Sequence, residues 1–74
     1  MSGREVIAVF RLFGFEFLSQ RGSHVKLRRI GAGGTKQTLT VPDHAELDTG
    51  TLRAIMRQAT RYIPLDDLRP HFYR

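Results

Sequence analysis

Between Gly14 and Pro42 the apolar residues recur with period two, whereas on either side they recur at the three- and four-residue steps of a helix. In a chain of 74 residues that double switch of period leaves few folds open. On the N-terminal side, Ser2-Gly3-Arg4-Glu5 is a capping box, in which the Ser2 oxygen accepts from the Glu5 amide and the carboxylate reaches back. Val6, Val9, Phe10 and Phe13 then mark one helical face, and Gly14 supplies a left-handed residue to close it. The pattern predicts a helix over residues 3–13, with Arg4 and Arg11 toward water.

Phe15 to Gln20 alternates, Phe15 and Phe17 one way and Glu16 and Leu18 the other. A tight Arg21-Gly22-Ser23 turn leads into His24 to Ile30, where Val25 and Leu27 alternate with His24, Lys26 and Arg28. Gly31 to Gly34 reads as a flexible loop, and Gln37 to Val41 as a third strand with Leu39 and Val41 inward, stopped by Pro42. Short turns make the three strands an antiparallel meander. Leu52, Ile55, Met56 and Ala59 mark a second amphipathic helix from Gly50 to Arg61, capped by Asp48 or Thr49, with Arg53, Arg57 and Arg61 on its outer side. Pro64 opens one more short turn, Leu65 to Leu68.

Both helices have one apolar stripe and the meander one apolar face. The expected fold is therefore α+β, a two-layer α-β-β-β-α sandwich with both helices on one face of a three-stranded antiparallel sheet. The other face stays in water and carries His24, Lys26 and Arg28. This holds for one register only, since a slip by one residue would turn them inward.

Length allows one domain over residues 1–74. The absence of cysteine excludes disulfide staples and thiolate metal sites and fits a reducing compartment. No apolar run approaches the roughly 20 residues of a bilayer span, and Arg11 soon interrupts the N-terminal apolar stretch, so no signal peptide is read and a cytoplasmic protein is expected. Charge is more informative. Arg21, Lys26, Arg28, Arg29 and Lys36 fall between Phe17 and Pro42 with no acid among them, while seven bases and seven acids cancel elsewhere. The whole excess of +5 sits in the meander. Such a local field gathers polyanions, nucleic acid first among them, although a solvated surface kept for solubility would read the same way.

His24 begins a strand beside a glycine turn on the basic face. An imidazole there can take a proton from a ribose 2′-hydroxyl or give one to a leaving 5′-oxygen. Lys26, Arg28 and Arg29, with Lys36, can hold the phosphate and stabilise the charge that grows on it. Gly22 allows close backbone approach, and the Ser23 hydroxyl can bond phosphate or orient the imidazole. By spacing alone a histidine at a strand end is more often a surface residue than a catalyst. His44, after Asp43, reads as a bridge from its loop to the second helix, and His71 lies in a frayed C-terminus. The three histidines fall in separate elements, so no metal site is read and no cofactor is expected. The loop glycines join two strands instead of preceding a helix, which argues against a phosphate-binding loop.

Taken together, Gly14-Phe15, Arg21-Gly22-Ser23-His24, Thr40-Val41-Pro42-Asp43-His44 and Gly50-Thr51-Leu52-Arg53-Ala54-Ile55 resemble the HicA family of toxin–antitoxin modules, over about residues 3 to 60. The resemblance implies a fold like the double-stranded-RNA-binding domain. It also implies a toxin that acts as a messenger-RNA endonuclease, with His24 as the essential histidine. A metal-independent mechanism is then expected, with Arg21, Gly22, Ser23, Lys26, Arg28, Arg29 and Lys36 read from their own chemistry as its RNA contacts. A HicB-type antitoxin would cover that surface, and the free toxin would be a monomer. Where many relatives carry another histidine or a polar residue after that position, this chain has Val25. The second proton-transfer group stays open among water, His44 and the substrate. A non-catalytic RNA-binding module of the same fold is the alternative, separated by the absence of strand scission. A module that binds only an acidic protein is a third reading, separated by failure to bind RNA at low salt.

Overall fold

In a computed structural model, which describes residues 1–72, the elements run α1 (Gly3–Leu12), β1 (Glu16–Arg21), β2 (His24–Ile30), β3 (Lys36–Pro42), α2 (Thr49–Ala59) and α3 (Leu65–Phe72). The strands form one antiparallel sheet in the order β1-β2-β3. This is the α+β sandwich that the alternation of periods predicts, with one more helix at its end.

The capping box forms as written: the Glu5 amide donates to Ser2 Oγ at 3.1 Å and the Ser2 amide to Glu5 Oε1 at 2.9 Å. Behind the cap, α1 runs so close to the end of β3 that Gly3 is buried, its amide donates to the His44 carbonyl at 2.9 Å, and a Cβ there would strike the Pro42 carbonyl oxygen. The helix closes on Phe13, one residue earlier than expected, and Gly14 turns the chain with φ +91°.

Val25 and Leu27 of β2 lie opposite Val41 and Leu39 of β3, and all four are buried under the helices. Val6 and Phe10 of α1 and Ile55, Met56 and Ala59 of α2 complete the layer with Phe15, Leu47, Ile63 and Leu68. Each large side chain so buried contributes on the order of 1.5–3 kcal/mol, the main driving force in a domain this small. The same register leaves His24, Lys26 and Arg28 on the opposite, helix-free face, beside Pro42, Thr40 and Thr38 of β3.

The structure departs from the expected pattern in three places. In β1 the pairing shifts between Phe17 and Ser19, so Leu18 is an extra residue and the simple alternation of β1 breaks there. Ser19 and Arg21 consequently join the face of Lys26 and His24. Phe17, across from Leu27, lies beyond the helices and is 61% exposed. The glycine loop is ordered by a single 3-10 turn, Ala32–Gly34, closed by a 2.7 Å bond from the Gly31 amide to the Thr35 carbonyl. Finally, the short turn after Pro64 is a two-turn helix that continues through Pro70. Pro70 removes one helical hydrogen bond, but the burial of Leu68 and the packing of Phe72 on Phe10, centroids 5.9 Å apart, hold the last turn. His71 is therefore no part of a frayed tail: it meets the Phe13 ring edge-on at 5.5 Å.

Candidate active site on the open sheet face

The β1–β2 hairpin turns on two residues, Gly22 and Ser23, with Arg21 and His24 as the flanking pair. Gly22 carries φ +58° at the first loop position and, among the described residues, no non-glycine has a positive φ, the pattern of a type II′ turn that suits strand twist. Arg21 and His24 thus stand side by side, about 5.5 Å apart at their Cα atoms as in any hydrogen-bonded antiparallel pair. Lys26 lies two residues along the same face, roughly 7 Å further on.

An open hollow of about 480 Å³ is lined by Ser19, Gln20, Arg21, His24, Lys26 and Thr40. Its two cations and its imidazole are all exposed. Among the described residues no ion pair engages Arg21, Lys26 or Arg28, and no hydrogen bond or ion pair holds the His24 ring. The hollow therefore presents uncompensated positive charge beside a free imidazole, an arrangement suited to an anionic ligand that has a proton to move.

The hairpin turn is fastened from below. The Asp43 amide donates to the Ser23 carbonyl at 2.6 Å, and His44 Nε2 lies 3.2 Å from Ser23 Oγ. His44 thus bridges to the hairpin and not to the second helix, because the loop after β3 leaves the sheet directly beneath the turn. Ser23 is half-buried and held by this contact, one residue from His24.

Arg28 continues the open face, directly across from Glu16, and is half-buried. Lys36 is exposed on the same face at the far end of β3, opposite Ile30, six residues from the Pro42 that pairs with His24. At strand rise that separation is about 20 Å, too far to join the hollow. Arg29, expected among the phosphate contacts, projects to the helix side. Its guanidinium donates to Gln37 Oε1 at 2.8 Å, the Phe13 carbonyl at 2.8 Å and the Tyr62 carbonyl at 3.1 Å, and lies 4.8 Å from the centroid of the Phe15 ring. It ties α1 and the segment after α2 to the sheet, so its donors are engaged inside the fold.

A family profile described as the HicA toxin of bacterial toxin-antitoxin matches residues 3–60. The chain belongs to the HicA toxin family. As a HicA-family protein it is the toxin of a toxin–antitoxin system, and that membership points to an antitoxin partner. No curated protein and no solved structure matched the chain. The match runs from the start of α1 to just past α2 and so includes the hollow, His24 and His44, while α3 lies outside it. Among the described residues no helix is long and apolar enough to cross a membrane, and no three His, Cys, Asp or Glu side chains converge as a metal site would require.

Sequence reading missed Ser19, Gln20 and Thr40 as lining residues. Ser19 reaches the hollow only because of the Leu18 bulge, for which the sequence gives no local signal.

Proposed function

We propose that this HicA-family toxin is a cytoplasmic endoribonuclease that cleaves messenger RNA and thereby arrests translation, and that its single domain is held in check by a HicB-type antitoxin of a type II module. What supports the reading is one feature: His24, exposed and without a partner among the described residues, stands across from Arg21 and two residues from Lys26 on an open face.

In this mechanism a neutral His24 imidazole takes the proton of a ribose 2′-hydroxyl. The oxygen attacks the adjacent phosphorus, the bond to the 5′-oxygen breaks, and that oxygen leaves with a proton taken from water, so the products carry a cyclic phosphate and a 5′-hydroxyl. Arg21 and Lys26 bind the scissile phosphate and stabilise the charge that builds on its oxygens, and Arg28 extends the cationic track along β2. Gly22 lets the strand approach the turn, and Ser23, held by His44, keeps the turn in place beneath the imidazole. The free protein acts as a monomer. An antitoxin that neutralises the toxin covers the hollow and offers acidic groups to the cations.

The test compares purified wild-type protein with His24→Ala on labelled RNA. The substituted protein is expected to keep its melting temperature, since His24 is exposed, and to lose both strand scission and growth arrest. Cleavage by His24→Ala at the wild-type rate would remove the histidine from the mechanism. RNA retention without scission by the wild-type protein would favour a binding module of the same fold.

A further inference from the structure

A second concavity begins where the cationic hollow ends. The hollow and a groove of about 460 Å³ share His24 and Thr40, so the histidine stands on the ridge between them. The groove runs between the edge of β3 and α2, over Pro42, Ala54, Ile55 and Gln58, with Thr51 along one side.

Its chemistry differs from that of its neighbour. Among the described residues no lysine or arginine lines it, and the Asp48 carboxylate there repels phosphate. The Gln58 amide is already engaged with the backbone of Thr40, accepting from its N–H at 3.3 Å and donating to its carbonyl at 3.5 Å. What remains for a ligand is a largely apolar surface edged by threonine hydroxyls. Such a surface suits a flat, uncharged heterocycle and not a phosphate or a sugar.

Resting on the ribonuclease reading, we infer that this groove is a nucleobase subsite, which takes the base of the nucleotide whose 2′-hydroxyl is presented to His24. The juxtaposition dictates the division of the ligand. A ribose over His24 has the cations on one side and the apolar groove on the other. Its 3′-phosphate then lies against Arg21 and Lys26, and its base turns away from them into the groove. Packing the base there fixes the ribose, and so aims the hydroxyl at the imidazole.

The experiment uses a short oligoribonucleotide that the protein cuts, and a second in which the nucleotide on the 5′ side of the cut bond has lost its base but kept its ribose. Wild-type protein is expected to cut the base-bearing RNA at least about tenfold faster at that bond, as burial of one face of a base against apolar side chains would give. Ala54→Phe fills the groove from an exposed helix position and is expected to collapse that ratio toward unity, and Ala54→Leu to reduce it part of the way. A wild-type protein that cuts both RNAs equally overturns the inference while leaving the ribonuclease reading intact. So does a folded Ala54→Phe protein that slows both substrates by the same factor. RNA that stays uncut at every bond overturns the ribonuclease reading, and the base subsite with it.

Discussion

His44 holds Ser23 at 3.2 Å across 21 residues of chain, and so fastens the loop that leaves β3 to the two-residue turn that presents His24. Neither residue lines the cationic hollow. Their effect on His24 passes through the turn, which makes both positioning residues.

Removing either side of this contact is expected to slow RNA cleavage by roughly ten- to a hundredfold, the range for a displaced catalytic group. The loss should fall on kcat more than on KM, since the phosphate contacts remain. Because Ser23→Ala and His44→Ala break the same bond, the double variant should be no slower than either single one. Single-turnover cleavage of one RNA by all four proteins checks this, and additive losses would assign the two residues separate roles.

Arg29 and its neighbours on the open face should separate cleanly into stability and binding. Arg29→Met removes donors from the Phe13 and Tyr62 carbonyls and from Gln37, at a cost of about 2 kcal/mol, seen as a fall in Tm of roughly 10 °C. Arg29→Lys should recover little of it, because a single ammonium does not span three divergent acceptors. Thermal unfolding followed by circular dichroism measures both.

Arg21→Gln and Lys26→Gln should behave in the opposite way. Both side chains are exposed, without an ion pair among the described residues, so Tm should barely change. Each should weaken RNA binding and lower the slope of log K against log salt by about 0.7 per lost single-strand phosphate contact. Titrations at several salt concentrations with the His24→Ala background avoid cleavage during the measurement. An unchanged slope would place the RNA elsewhere.

Asp48 carries a pH signature of the fold. Its carboxyl lies below the ordinary value of 3.8, first because the Thr51 amide donates to it and then through the Thr51 hydroxyl. A carboxyl depressed by folding stabilises fully above its unfolded value, and loses that contribution as pH falls through the folded one. Asp48→Asn keeps a capping oxygen without the titration. The stability difference between wild type and Asp48→Asn should therefore be level from neutral pH down to about 4, then shift against the wild type in stronger acid. Denaturant unfolding across pH 2–7 reads the curve.

Most of the architecture could be read from local chemistry. The Ser2–Glu5 capping box, the glycines at 14 and 22, and the alternation through Val25 and Leu27 each specify one geometry, and the observed elements follow them. Alternation also predicted the open face of His24, Lys26 and Arg28. The same rule turns Arg29 inward, but a count of charges along the segment grouped it with its neighbours. A bulge such as that at Leu18 is decided by strand twist and by what lies across the pair, and Phe17-Leu18-Ser19 carries no local mark of it. In α3, Pro70 argues for an early stop, and only the tertiary packing of Leu68 and Phe72 reverses that. The contacts of His44 with Ser23 and of Gln58 with Thr40 join residues 18 or more apart in sequence, so they exist only once the layers have stacked.

The Gln58 amide, seated on the backbone of Thr40, has a consequence for self-association. A small sheet with two open flanks can pass strand pairing from copy to copy without end, which is how fibres grow. Here the β3 flank is plugged at its middle by a side chain of the same molecule. Any pairing of copies through their strands must use β1 on both, and a chain of such contacts terminates at two.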